Sequence, residues 1–379
     1  MRTIHSGISL FAILLSFGTF SACTTAHALP SGHPDVTKRT TCNESNMRIR
    51  KEWSAFTPAE RTNYTTSVKC LMQLPPKTPK WFAPGVTSRY DDFTAAHINN
   101  TLLIHVNGVF LGWHRHFVHL YEKALIEECG YKGAVPYWNW PWWADDLPGS
   151  QLFDGSATSL GGDGYWNASM PPVKNGNYTF PRGNGGGCIK SGPFANISTG
   201  FRVFQYGEIL KAVMPEDALN YAPHCIYRDL NSAITAPNHQ PGIVNELISA
   251  PTIRAFQKLM DGRIDGTNRL SPHSGGHWSM GTSMLDQFAS PSDPAFFSHH
   301  GMIDNMWAQW QKKDPANRTF ALDGTITTLN NPPSANATVD TLVYFAFLDK
   351  PRRLGEVMDT QSEEYCYRYE YDQNATKPY

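Results

Sequence analysis

The amino-acid sequence predicts a mainly α fold with long disulfide-tied loops and a few short strands, and three features carry that expectation. Apolar residues recur at helical spacing in several separate stretches. Six cysteines follow an apolar leader, an even set suited to an oxidising compartment. Residues 149–200 are so dense in Gly, Ser, Asn and Pro that they form a long excursion over the surface. With 379 residues and 11 Trp the chain can bury a large core. Its formal net charge of -1 gives no basic footprint for nucleic acid and no polybasic membrane patch.

The elements follow in order. Arg2 precedes the apolar run Ile8 to Phe20, which is too short to span a bilayer, and Ala26-His27-Ala28 fits a cleavage site. Residues 1–28 are therefore expected to be a signal peptide. The dibasic pair Lys38-Arg39 marks 29–41 as a candidate propeptide, leaving 42–379 as the folded domain. Cys23 leaves with the leader. Cys42, Cys70, Cys129, Cys188, Cys225 and Cys366 then suggest three disulfides, with about 15 connectivities open. No CxxC pair is present, which argues against a zinc ribbon. Asn43, Asn63, Asn167, Asn177, Asn196, Asn317, Asn336 and Asn374 head Asn-X-Ser/Thr triplets, which agrees with secretion.

Asn43 to Met72 reads as helix, with a fresh start at Thr57-Pro58-Ala59-Glu60, a capping box with Pro at the first helical position. Asp91 to His105 and Trp113 to Glu128 read as two more helices. Phe117, Leu120, Tyr121 and Leu125 mark the buried stripe of the latter, and Gly130 stops it. Val135 to Trp143 is too rich in Pro and Trp for a regular element and reads as a packed connector. Ile243 to Met260 is helical with a break near Pro251, and Ala295 to Lys312 is an amphipathic helix. Thr325 to Leu348 is mixed and includes short strands. No internal repeat and no second segment long enough to cross a membrane is present.

The histidines carry the chemistry. Of 14, one cluster holds His97, His105, His114, His116 and His119, and another holds His273, His277, His299 and His300. Ligands converging from facing helices are what a helix-bundle metal site needs, so the expected core is a four-helix bundle around metal. His97 and His105 lie about two turns apart, and His114 opens the next helix. His116 points away from His114 and reads as surface or supporting, as does His119. His273 and His277 share one face of a helical turn, but the general-base Glu of a zinc-protease HExxH is absent. His299 and His300 project about 100° apart on a helix, so only one can be a ligand. Asp304, one turn after His300, suits an outer partner or an ion pair with Arg50. Three imidazoles per ion, without Cys or carboxylate, suit copper, zinc, iron or nickel. The lack of a bridging carboxylate argues against di-iron and favours paired copper sharing one O2.

Phe110 to Leu125 ("FLGWHRHFVHLYEKAL") and Asp293 to Trp310 ("DPAFFSHHGMIDNMWAQW") resemble the two copper signatures of the tyrosinase, catechol oxidase and molluscan haemocyanin family. Val135 to Trp140 resembles its connector, and Tyr365 to Tyr371 ("YCYRYEY") the tyrosine-rich end of its catalytic core. The resemblance runs from about residue 42 to 371. It implies two coppers, the first held by His97, His105 and His114 and the second by His273, His277 and His300, with His299 a hydrogen-bonded neighbour. Asn99, a turn from a ligand, is then expected to be buried despite its triplet. Family members oxidise o-diphenols to o-quinones with O2, and tyrosinases proper also hydroxylate monophenols.

Several departures refine this. No Cys lies near His105, so the thioether that ties this ligand in many relatives is absent. Ser274 follows the first ligand of the second set, where efficient monophenolases often carry Asn, and Trp278 after the next ligand is large enough to narrow access. Both count against monophenol hydroxylation. The chain also ends soon after the tyrosine-rich stretch, with no C-terminal lid domain expected. The implied protein is a short, secreted fungal-type phenol oxidase acting with O2 on a phenolic small molecule. An alternative is a tailoring oxidase of a pigment or peptide-toxin pathway acting on a tyrosyl peptide or aryl metabolite. A haemocyanin-like O2 carrier is a weaker third reading. Neither nucleic acid nor membrane is an expected partner.

Overall fold

A computed structural model describes residues 41–204, 213–262, 266–372 and 377. The leader, the Lys38-Arg39 pair and Asn374 lie outside them. Seven helices position the site: α1 (Pro58–Gln73), α2 (Arg89–Asn100), α3 (Phe110–Cys129), α4 (Pro241–Ser249), α5 (Ile253–Asp261), α6 (Pro272–Trp278) and α7 (Ala295–Lys312). α3 packs against α1 and α7, and α6 packs against α5 and α7. The fold is mainly helical, with α2, α3, α6 and α7 as the bundle that carries the histidines.

Local chemistry explains most boundaries. Thr57 and Glu60 form the expected capping box at α1, and Ser88 and Asp91 form a second at α2. Asn107 accepts from the amides of Val109 and Phe110 and so starts α3 one turn earlier than its apolar stripe suggests. Gly130 caps α3 in the left-handed region, as expected of a stop glycine. The break between α4 and α5 falls at 250–252, beside Pro251.

Three expectations are corrected. The segment after Asn43 is not helical at first: Arg48–Arg50 is a strand that pairs in parallel with Tyr367–Tyr369, followed by a 3-10 turn at Trp53–Ala55. A pairing over 300 residues of chain leaves no local signal. The helix read from Asp91 to His105 ends at Asn100. There Asn100 Nδ2 donates to Ala96 O and Thr101 Oγ1 to His97 O, so side chains compete for the carbonyls of the last turn. His105 therefore sits on a loop, not two helical turns beyond His97. Finally, the Trp-rich connector ends in a short helical turn at Trp140–Trp143.

The excursion over 149–200 contains short strands, and every sheet among the described residues is two-stranded. Disulfides join Cys42 to Cys366, Cys70 to Cys129 and Cys188 to Cys225. The first fastens the two ends of the domain where strand Arg48–Arg50 meets Tyr367–Tyr369. No helix among the described residues is long and apolar enough to cross a membrane.

Candidate metal centre

The two histidine clusters meet inside the bundle. His97 near the end of α2, His105 on the following loop and His114 in the second turn of α3 form one group. His273 and His277 in α6 and His300 in α7 belong to the other. Within each group the ligand atoms lie within 4.8 Å of one another, and every residue is buried. The groups face each other: the His114 and His300 rings stack at 4.4 Å, and His105 and His273 lie parallel at 6.2 Å.

Nδ1 contacts on five of the six rings show which nitrogen is turned inward. His97 donates to Phe288 O, His105 to Thr101 O, His114 to Phe110 O and His277 to Met284 O, at 2.7 to 2.9 Å. His273 donates to Asp261 Oδ1 at 2.6 Å. Such bonds fix the tautomer that leaves Nε2 as a lone-pair donor. Nε2 of His97, His114 and His273 is buried with no hydrogen-bond partner. Nε2 of His277 and of His300 lie 3.2 Å apart, both turned into the space between the helices. His300 has no partner at Nδ1 and is held by stacking between Phe296 at 4.1 Å and His114. A buried nitrogen without a partner costs roughly 1–3 kcal/mol, so this many together mark a centre built for ions. The donor set fits two copper ions, each with three imidazoles and no carboxylate.

Burial, reinforced by neighbouring imidazoles, holds His97, His114, His277 and His300 well below the ordinary histidine pKa. The rings are thus neutral and ready to ligate at neutral pH. His105 and His239 are lowered to about 4, chiefly by burial. Because the unfolded chain binds these protons near pH 6.5 and the fold does not, stability is lost as pH falls below about 6.5. Both groups therefore make the fold progressively less stable as pH falls from about 6.5 toward 4. Urea midpoints of the copper-free protein are expected to fall across that window; a flat profile from pH 6.5 to 5 counts against neutral burial.

The adjacent pair resolves clearly. His299 also lies within ligand distance of the second group, yet both its nitrogens are taken. Its Nε2 donates to His273 O at 3.0 Å and its Nδ1 accepts from Trp140 Nε1 at 3.2 Å. It buttresses α6 from behind, so closely that a Cβ on Gly276 would fall 2.1 Å from its ring. The ring stacked in the centre is that of His300.

Asp304 is the hub of a buried network, not a partner of His300. Arg50 donates to it at 3.2 Å, Arg115 at 2.5 Å and Tyr369 OH at 2.7 Å, and Tyr367 OH donates as well. Burial pushes its pKa up, but Arg115, Arg50 and the two phenols outweigh that and keep it below the ordinary value. The Arg50 contact was expected from sequence. Arg115 and the two tyrosines were not, although the alternation in Tyr367-Arg368-Tyr369 puts both phenols on one strand face.

Other expectations shift. His116 is fully buried rather than at the surface, bonded to Tyr365 OH and to Asp349 at 2.8 Å, and His119 is buried against Tyr365. Asn99 is half-buried, because it faces away from the ligand side of α2. Ser274 Oγ accepts from Ser271 Oγ at 3.1 Å at the start of α6. Trp278, expected to narrow access, packs on a satellite cluster of Phe180, Ile234 and Leu270. Asp261 was missed: it lies 12 residues before His273, and no local spacing signals it.

A mainly helical domain that turns two sets of three buried imidazoles toward each other defines the class of dinuclear copper proteins that handle O2. The common central domain of tyrosinase matches residues 87–313. Tyrosinase P of Aspergillus terreus is 44% identical, over 85% of this chain and 91% of its own. N-acetyl-6-hydroxytryptophan oxidase ivoB of Emericella nidulans is 41% identical, over 87% and 94%. A solved structure of a polyphenol oxidase variant from Thermothelomyces thermophila superposes with a TM-score of 0.81 at 37% identity, covering 88% of this chain and 91% of that one. The chain belongs to the tyrosinase family and is a copper-dependent oxidoreductase, of a family that acts on phenolic substrates with O2.

Proposed function

We propose that His97, His105 and His114 hold one copper and His273, His277 and His300 the second, and that the protein oxidises o-diphenols to o-quinones. The observation that carries the ligand assignment is the pair of facing, buried histidine groups, in which Nε2 of His97, His114 and His273 has no partner and Nδ1 bonds orient five of the six rings. When bound, a copper pair supplies the two-electron exchange with O2 that a closed-shell phenol needs. The chain's own part is to orient the imidazoles and bury them away from water. Phe296 and Phe110 wall the centre, stacking at 4.1 Å on His300 and packing at 4.8 Å from His273. Asp261, the one acid bonded to these rings among the described residues, meets His273 at Nδ1 and leaves its Nε2 free. Ser274, in place of a side-chain amide, favours diphenols over monophenols as substrates.

A second reading keeps the chemistry and narrows the substrate to a hydroxylated aryl metabolite within a biosynthetic sequence. The relative named as an N-acetyl-6-hydroxytryptophan oxidase supports it. Three disulfides and exposed Asn-X-Ser/Thr triplets such as Asn43, Asn177 and Asn336 support passage through the secretory pathway.

Oxygen uptake with 4-tert-butylcatechol, tyrosine, a tyrosyl peptide and N-acetyl-6-hydroxytryptophan, alongside a metal count, tests both. Two coppers per chain and fastest uptake with the catechol support the first reading. Fastest uptake with the hydroxyindole or the peptide supports the second. One copper, or zinc, overturns both, and reversible O2 binding without turnover makes the protein a carrier.

A further inference from the structure

Asp261, the last residue of α5, splits its carboxylate between the two halves of the centre. Oδ1 accepts from His273 Nδ1 at 2.6 Å, and Oδ2 accepts from the backbone N–H of Val106 at 2.8 Å. Val106 follows His105 directly and has a φ of 48°. A β-branched residue occupies that left-handed region only when its surroundings enforce it. The contrast with the other rings is plain. His97, His105, His114 and His277 each give Nδ1–H to a backbone carbonyl, so His273 alone among them has an ionisable partner. That same partner reaches the loop that carries a ligand of the opposite group. The described cysteines are all paired in disulfides, so none ties His105 covalently, and its loop is held by weaker contacts: Leu329 N–H donates to Val106 O, and Gly108 N–H to Thr325 O.

We propose that Asp261 is a positioning residue that spans the dinuclear centre, fixing the His273 ring through one oxygen and the His105 loop through the other. The proposal rests on the ligand assignment above. Its consequence is that a ligand in each half of the centre is held by one side chain that is not itself a ligand. An amide cannot replace it. Asn has one accepting oxygen and one NH2, so whichever way it turns, a donor faces a donor at either His273 Nδ1–H or Val106 N–H.

The test titrates the purified protein with Cu(I) against a chromophoric chelator and melts the copper-free forms in parallel. Wild type is expected to bind two ions. Asp261→Asn is expected to bind copper about 10–100-fold more weakly, the range for loss of a ligand's outer partner. Asp261→Ala, which loses both bonds, is expected to weaken both ions. Wild-type affinity in both variants overturns the proposal, and so does a lowered melting point with unchanged affinity, which marks a merely structural residue. If neither variant folds, the dicuprous wild type decides by proton NMR. A downfield, slowly exchanging N–H on His273 supports the carboxylate bond, and its absence overturns it. Failure of wild type to bind two ions overturns the ligand assignment instead, a distinct result.

Discussion

His300→Ala is expected to leave the protein folded, with one copper instead of two and oxygen uptake at the background rate. The affinity lost at the second position exceeds the ~10–100-fold that removal of an outer partner costs. His299→Ala is the paired control. It removes a ring that bonds His273 O and Trp140 but offers no free nitrogen, so both ions are retained with weaker affinity and slower uptake. A copper count by atomic absorption, with near-ultraviolet circular dichroism to certify the fold, separates the two variants. If His299→Ala strips an ion while His300→Ala keeps both, the roles of the neighbours are reversed.

The second large effect lies away from the metals. Asp304→Ala is expected to lower unfolding stability by about 3–5 kcal/mol, because it strands Arg50 and Arg115, both fully buried, without their shared counter-charge. Two phenols lose their acceptor in the same step. Arg50 keeps Glu122 at 3.0 Å and Arg115 keeps Gln311 at 3.0 Å, so the loss is large but not the whole of the network. Urea unfolding of the copper-free protein measures it directly. A loss under ~1 kcal/mol would mean that the hub contributes no more than a surface pair. The network also links function to architecture. Arg115 follows His114, Asp304 lies one turn beyond His300, and Arg50 and the tyrosines come from the two ends of the domain.

What sequence alone made legible follows from locality. The capping box at Thr57, the stripe of Phe117, Leu120 and Tyr121, the span Ala295–Lys312 and the turn pairing of His273 with His277 are all set within a few residues of themselves. The family resemblance supplied the choice of His300 over His299, which helical geometry by itself left open. His105 shows the limit. Helical spacing alone carried α2 through it, but Asn100 and Thr101 end the helix with their own side chains, and the ligand is placed by a loop.

The sequence by itself determined the helical periods and a nitrogen-only ligand supply, since each depends on residue type and near spacing. Only the tertiary structure decided which cysteines pair, that His116 is interior, that four donors converge on Asp304, and that Asp261 reaches both halves of the centre. These are contacts between segments distant in the chain. Burial and the demand that buried polar atoms find partners fix them, and neither acts until the chain has folded.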